Sequence, residues 1–241
     1  MSLLSRRKLI AAAAGASGLA VAARLADQYG LTPPDSGGIY GPGNTLTYAS
    51  QRLLTRHSLA REFAPADIAK APFAKLRPFQ IEAYSKSQAV GFADWRIGVD
   101  GIVAQPTSFS LPDLRNLPAR TQINQLACEA GWSFIAEWTG VALSEVLKVA
   151  KVLPQARYVV YYSIQKNWVQ SIDMADALHP QTLLAYGMNG ADLPIGHGAP
   201  VRMWLPRQLG YKNVKFITRL TLTDSLKNLY KGGNYSWYAG I

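Results

Sequence analysis

The chain is poorest in cysteine: Cys128 stands alone among 241 residues. A single thiol excludes an internal disulfide, a zinc site built on paired cysteines and a cysteine-ligated iron–sulfur cluster. No C-x-x-C-H run is present, which removes covalent haem of that type. With three histidines and no H-E-x-x-H, a zinc site of that type is also missing. There is no G-x-S-x-G elbow around any serine or the cysteine, no Walker loop and no G-x-G-x-x-G fingerprint. Charge is sparse as well, at 17% of residues. Like charges never form a block, and no Lys/Arg run is interleaved with aromatics. Nucleic acid is therefore not an expected partner, although the net charge of +10 suits anionic ligands.

What the chain does hold is apolar and turn-rich. Hydrophobic residues make up 49%, enough to bury a core and to exclude wholesale disorder. The 20 Gly, 14 Pro, 12 Tyr and 6 Trp point to many turns and aromatic strands rather than a helical bundle.

The N-terminus reads as an address. Ser5-Arg6-Arg7-Lys8 precedes an apolar, small-residue run from Leu9 to Ala23, followed by Arg24. The run is shorter than the roughly 20 residues of a spanning helix. It lacks the polar face of an amphipathic helix. Twin arginine, modest apolar stretch and basic residue together read as a twin-arginine export signal over residues 1–26, with Ala20-Val21-Ala22 as a small-residue site. Periplasmic delivery is expected, with membrane association if the segment stays attached. Residues 27–50, rich in Pro and Gly, read as a linking arm, and 51–241 as one domain.

Within that domain short elements alternate with turns. Strands are expected at Trp95–Val103, Thr121–Cys128, Arg157–Ile164, Val201–Leu205 and Val214–Leu222. Ser110-Leu-Pro-Asp supplies an N-cap and an early proline for a short helix. Leu143, Val146, Leu147 and Ala150 fall at helical spacing, and Asp173–Leu178 reads as helical. Nothing repeats as βαβ, so the class is a β-rich mixed α+β fold.

Two features carry chemistry. Cys128 closes a strand and runs into Glu129-Ala130-Gly131-Trp132; it is either a buried inert thiol or, beside an anionic cofactor, a nucleophile or ligand. Gly196-His197-Gly198-Ala199-Pro200-Val201-Arg202 sets a histidine and an arginine around a glycine-rich turn, with Lys212 and Lys215 following. Glycines permit close backbone approach, and arginine clamps a phosphate through parallel hydrogen bonds. A plain surface β-turn is the competing reading.

The segment Leu184-Ala-Tyr-Gly-Met-Asn-Gly-Ala-Asp-Leu-Pro-Ile-Gly-His-Gly-Ala-Pro-Val-Arg202 closely resembles the molybdopterin-binding segment of the sulfite oxidase family. Gly210-Tyr-Lys-Asn-Val-Lys-Phe-Ile-Thr-Arg219 resembles the strand that follows it there, and Cys128 resembles that family's molybdenum-ligating cysteine. The likeness runs from about Phe79 to the C-terminal Ile241. It implies a β-rich sulfite oxidase-type fold and a catalytic site with one molybdenum-molybdopterin per chain. In such sites the pterin dithiolene and one thiolate hold the metal, which fits the cysteine count. By motif position the resemblance assigns His197 and Arg202 to the pterin and its phosphate. It likewise assigns Asn213, Val214 and Lys215 to further contacts, Ser163 to a small polar contact, and Arg56 and His57 to an N-terminal Arg-Asn-His element whose asparagine is missing here.

The family's sulfite oxidases place arginines after the cysteine segment to hold the sulfite dianion. Here Trp132 and Ser133 occupy those positions, and only a distant arginine such as Arg120 is left for that task. Cys128-Glu-Ala-Gly-Trp-Ser is more similar to the periplasmic methionine-sulfoxide reductase catalytic subunits of bacteria. Trp132 then reads either as core packing or as an aromatic wall for an organic substrate. The resemblance thus implies oxygen-atom transfer, with reduction of a small S- or N-oxide as the first expectation. Oxidation of sulfite or another small substrate, or a non-catalytic binding subunit, are the alternatives. No haem or flavin motif is present, so an external electron donor such as a cytochrome or membrane haem protein is expected.

Overall fold

In the computed structural model, the described residues are 31–33, 41–74 and 81–226, with isolated positions 18, 21 and 26. The twin arginines, most of the segment after them and the C-terminal Tyr238–Ile241 lie outside the described residues. The chain divides into two compact units, residues 1–54 and 55–241. Among the described residues no helix is long and apolar enough to cross a membrane.

The first unit carries nearly all of helix α1 (Gly41–Thr55). Its residues Gly41 to Ser50 fall where the Pro and Gly content predicts a linking arm. Pro42 sits in the first turn, where a missing N–H breaks no helical bond. Arg52, one turn after Tyr48, lays its guanidinium 5.4 Å from that ring's centre.

The second unit is built on two five-stranded sheets. Its elements are α2 (Glu82–Ala89), β1 (Ile97–Gly101), β2 (Thr107–Phe109), α3 (Leu111–Asn116), β3 (Ala119–Ala127), β4 (Ser133–Ala142), α4 (Leu143–Val149), β5 (Tyr158–Ser163), β6 (Val169–Asp173), α5 (Met174–Ala177), β7 (Leu183–Met188), β8 (Ala191–Asp192), β9 (Arg202–Trp204) and β10 (Ile217–Thr223). One sheet runs β2-β1-β10-β5-β6; the other runs β3-β4-β7-β8, with β9 also paired to β7. All ladders are antiparallel except β1 with β10, which brings Val99 opposite Leu220. This is the mixed, β-rich α+β class expected.

Local chemistry explains several boundaries. Helix α3 opens with a capping box: the Ser110 hydroxyl accepts the Asp113 N–H at 3.2 Å, and Asp113 Oδ2 accepts the Ser110 N–H at 2.8 Å. The Ser110 hydroxyl, which also donates to Asp113 Oδ2 at 2.6 Å, and then the Ser110 N–H hold the Asp113 carboxyl below its ordinary pKa. Strand β4 continues straight into α4. At the bulge between Thr139 and Gly140 the β7 backbone comes so close that a Cβ on Gly140 would sit 2.3 Å from the Leu184 carbonyl oxygen.

The second sheet has apolar residues on both faces, and this positions the site. Val141, Leu184 and Tyr186 face the main core. Leu126, Phe134, Trp138, Leu183 and Trp204 form a second cluster, against which Trp132 packs. Trp138 and Trp204 stack at 4.0 Å between ring centres. Both are fully buried, and truncating either costs about 3–5 kcal/mol.

Candidate active site

Strand β3 ends at Ala127, one residue before Cys128. The chain then turns tightly. The Cys128 N–H donates to the Trp132 carbonyl at 2.9 Å, and the Gly131 N–H donates to the Cys128 carbonyl at 3.0 Å. Gly131 takes φ 86°, a conformation that favours glycine. The turn presents the half-buried Cys128 sulfur to two groups: the Ala130 N–H lies 3.4 Å away and Glu129 Oε2 lies 3.5 Å away.

A second segment lies against this turn. Glu129 Oε2 also accepts the Tyr211 N–H at 3.1 Å. Gly210 is close enough that a Cβ there would meet the Cys128 Cα at 3.2 Å. Lys212 is buried, with its Nζ donating to the Ser171 carbonyl at 2.6 Å, while its own carbonyl accepts the Tyr161 hydroxyl at 2.9 Å. The 210–215 segment is thus anchored to β5 and β6 on one side and to the cysteine turn on the other.

The third segment is the glycine-rich turn before β9. Arg202 is 2% exposed. Its guanidinium donates to the His197 carbonyl at 2.9 Å, to the Asn213 carbonyl at 2.8 Å and to the Met203 carbonyl at 3.4 Å. It also lies 5.0 Å from the Trp138 ring centre and 5.8 Å from that of Trp204. Among the described residues no carboxylate pairs with it. A buried cation held only by dipoles and ring faces is a costly arrangement that an anion would relieve. Burial pushes its pKa down to about 9, still charged at neutral pH.

Gly198, at φ 109°, allows the turn to close over Lys215; a Cβ there would meet the Lys215 side chain at 2.8 Å. Lys215 Nζ donates to the Gly196 carbonyl. Burial, helped by the Arg202 charge, lowers its pKa to about 8. His197 is buried edge-on to Phe134, with ring centres 5.5 Å apart. Burial first, then Arg202 and Lys215, pull its pKa down to about 4, against the opposing hydrogen bond to the Pro72 carbonyl. At neutral pH the turn therefore offers two cations and one uncharged imidazole. That donor set fits a phosphate-bearing heterocycle, with the cations for the phosphate and the imidazole for a neutral ring.

The other expected residues are placed as follows. Ser163 ends β5 opposite Ile217, and its hydroxyl accepts the Gln165 N–H at 3.1 Å. The next residue, Ile164, bonds to Phe216, which puts Ser163 beside the Lys215 segment. Val214 is buried, its N–H donating to the Lys212 carbonyl and its carbonyl accepting from Met203. The Asn213 side chain is committed within its own loop, accepting the Leu205 N–H at 2.7 Å and donating to the Leu209 carbonyl at 3.1 Å. Trp132 lies parallel to Phe134 at 6.1 Å. Arg56 and His57 are exposed on the turn after α1, where Arg207 donates to the Thr55 and Arg56 carbonyls. Neither side chain makes a hydrogen bond or ion pair with His197, Arg202 or Lys215.

Arg120 is engaged elsewhere. It pairs with Glu62 at 2.8 Å. At about 3.3 Å per residue along β3, it sits roughly 26 Å from Cys128.

Sequence reasoning missed one wall of the site. Residues 60–74 run along the second sheet: Phe63 N–H bonds to the Ile123 carbonyl and Ala69 N–H to that of Ile135. This strap sets Phe73 edge-on against Trp132 at 4.8 Å and brings Pro72 to His197. No local pattern marks the strap; a lone Phe between Pro72 and Ala74 was the available signal. Sequence reasoning also missed Glu129 as the bridge between the cysteine turn and Tyr211.

Among the described residues no three His, Cys, Asp or Glu side chains gather into a metal site. A metal bound here would take most of its ligands from a cofactor, with Cys128 the protein sulfur at hand.

Comparisons with known proteins agree with this geometry. The family described as the oxidoreductase molybdopterin binding domain matches residues 84–230. A protein-methionine-sulfoxide reductase subunit by name, YedZ1 of Azospira oryzae, is 36% identical over 172 residues, covering 68% of this chain and 64% of that protein. The protein-methionine-sulfoxide reductase catalytic subunit MsrP of Ralstonia nicotianae is 30% identical over 166 residues, covering 61% of this chain and 50% of that one. The chain spans less than two thirds of the length of these curated relatives. In fold it resembles the sulfane dehydrogenase SoxCD of Paracoccus pantotrophus, with a TM-score of 0.57 and 23% identity over 70% of this chain and 46% of that one. With the family match across most of the second unit, the chain belongs to the molybdopterin-binding oxidoreductase domain family.

Proposed function

We propose that this chain is the catalytic domain of an exported molybdenum oxidoreductase. It holds one molybdenum-molybdopterin and reduces an S- or N-oxide of an organic substrate. The observation that carries the reading is Arg202: a buried guanidinium that pairs with no carboxylate among the described residues, tied through Asn213 to the segment that packs on Cys128. Its need for an anion and the lone sulfur beside that segment together suit a phosphate-bearing cofactor that brings a thiophilic metal.

The bound cofactor supplies the two-electron redox chemistry of oxygen-atom transfer. The chain's residues supply the setting. Arg202 and Lys215 hold the phosphate, His197 meets the pterin as a neutral ring, and the Cys128 sulfur is the protein ligand to the metal. Backbone at Asn213–Lys215 and the Ser163 hydroxyl complete the cradle.

Trp132 and Phe73 face the substrate as an aromatic wall. Such a wall suits an apolar or zwitterionic molecule and not a small dianion, which would need several guanidinium groups. The names of these relatives, protein-methionine-sulfoxide reductase subunits, favour methionine sulfoxide as the type of substrate. Reduction consumes two electrons and two protons and releases the sulfide and water. A cytochrome or membrane haem protein supplies those electrons. The Arg6-Arg7 segment directs the folded protein to the periplasm, where it stays at the membrane if the segment is retained.

The test is a turnover comparison on purified protein. With a reduced viologen as donor, methyl aryl sulfoxides and N-oxides should be reduced, while sulfite with ferricyanide should give little or no rate. Efficient sulfite oxidation with no sulfoxide or N-oxide turnover would reverse the substrate assignment.

A further inference from the structure

A pocket of about 260 Å³ lies apart from the residues just described, although it shares Ala199 and Pro200 with the glycine-rich turn. Phe92, Leu111, Pro112, Leu193 and Pro200 give it apolar walls, and Tyr186, Arg115 and Asp192 give it polar groups. Neither Cys128 nor His197, Arg202 or Lys215 lines it. The Ala199 wall is fixed from behind by the Tyr84 hydroxyl, which donates to the Ala199 carbonyl at 2.8 Å.

Two donors are left over in this pocket. Tyr186 is 8% exposed, yet among the described residues its hydroxyl makes no hydrogen bond. Burial raises its pKa, so it remains a neutral phenol that can donate. Arg115 lies 5.5 Å from the centre of the Tyr186 ring. It spends one N–H on Asp192, Nη2 to Oδ1 at 2.7 Å, out of the five a guanidinium carries. Asp192 is 84% exposed in that pair, so solvent screens its charge and the pair holds the arginine only weakly.

We propose that this pocket binds a small aromatic carboxylate. The ring would lie among Phe92, Leu111, Pro112, Leu193 and Pro200. The carboxylate would accept from the Tyr186 hydroxyl and from the free edge of Arg115. The size fits a single ring with its head group, since sites for drug-sized ligands run to roughly 300–1,000 Å³. A cationic head would face Arg115 at close range, and a neutral head would forgo the charge-assisted bond. The proposal needs neither molybdenum nor turnover.

The experiment uses the full chain with 4-fluorobenzoate as probe, followed by fluorine NMR and by calorimetry. Saturable binding is expected, and 4-fluorobenzamide and 4-fluorobenzylamine should bind at least about tenfold more weakly. Tyr186→Phe keeps the ring and fold and should weaken 4-fluorobenzoate about tenfold, and Arg115→Gln about three- to fivefold, because that guanidinium is 46% exposed and solvent screens its charge. Asp192→Asn removes the competing carboxylate and should tighten it. Thermal midpoints of the three variants, measured without probe, separate loss of binding from loss of fold. No saturable binding by the intact chain would overturn the proposal. So would equal binding of the amide, or unchanged affinity in folded Tyr186→Phe and Arg115→Gln proteins.

Discussion

Arg202 reaches back to the His197 carbonyl, 2.9 Å from its Nη1, and so one side chain closes the turn that both residues occupy. The same guanidinium reaches the Asn213 carbonyl on the neighbouring segment. It therefore sets the geometry of the anion site as well as its charge. Arg202→Lys keeps a cation and loses the fork, and it should lower molybdopterin content about tenfold or more under limiting cofactor. Pterin fluorescence after denaturation measures this. Unchanged occupancy would mean that Arg202 serves only the fold.

Gly198 tests the same turn from the backbone. Gly198→Ala forces a side chain into φ 109° and against Lys215 at 2.8 Å. Strain of about 1–3 kcal/mol is expected, visible as a lower denaturation midpoint and weaker cofactor retention. Gly190→Ala has the same sign of φ, at 75°, but nothing within 4 Å of its Cβ, and it should cost less.

His197 gives the site a pH dependence with a definite sign. Its folded pKa, about 4, lies below the ordinary histidine value of 6.5. Between those values the unfolded chain binds more protons, so stability rises with pH across that window and is lost as pH falls through it. From that difference the loss is on the order of 3 kcal/mol. Urea denaturation of the cofactor-free protein from pH 7 to 4 should show this slope, and His197→Gln should flatten it. An identical slope in both proteins would place the titration elsewhere.

Trp132 and Phe73 meet edge-on at 4.8 Å, and each steadies the other. Trp132→Ala and Phe73→Ala should each raise KM for an aryl sulfoxide several-fold, with a smaller effect on kcat, because apolar ground-state contact is what they remove. A fall in kcat alone would put them in a different role.

The uneven legibility of the sequence has a physical basis. The turn from Gly196 to Arg202 was legible because its chemistry is local: glycines, histidine and arginine lie within one loop. The Ser110–Asp113 cap and the alternating start of β1 are local too. Strand β7 was not identified because all six of its residues are buried, which erases the simple alternation that marks a strand. In β4 the buried face of Phe134, Ala136 and Trp138 alternates with half-buried residues, but Ile135 puts an apolar side chain on the other face and the bulge before Gly140 breaks the period. The strap bearing Phe73 is set by long-range ladder bonds to Ile123 and Ile135, which no window of sequence reveals. Asn213 shows the opposite limit. Its motif position does not reveal that its side-chain amide bonds to Leu205 and Leu209 and that its carbonyl accepts from Arg202.

Export is tested independently of the site. Arg6→Lys together with Arg7→Lys keeps the charge and removes the arginine pair read by the twin-arginine receptor. The variant should accumulate, folded, in the cytoplasm. Normal periplasmic yield would show that the segment is not such a signal.

The central claim, a molybdenum-molybdopterin held by Cys128, is tested most directly by metal and pterin analysis of the purified wild-type chain beside Cys128→Ser. The account predicts one molybdenum and one molybdopterin per wild-type chain. In the variant it predicts retained pterin, a changed molybdenum electron paramagnetic resonance signal and no turnover. Wild-type protein free of both molybdenum and pterin after expression in a cofactor-competent host, or a Cys128→Ser enzyme with an unaltered signal and full activity, would contradict it.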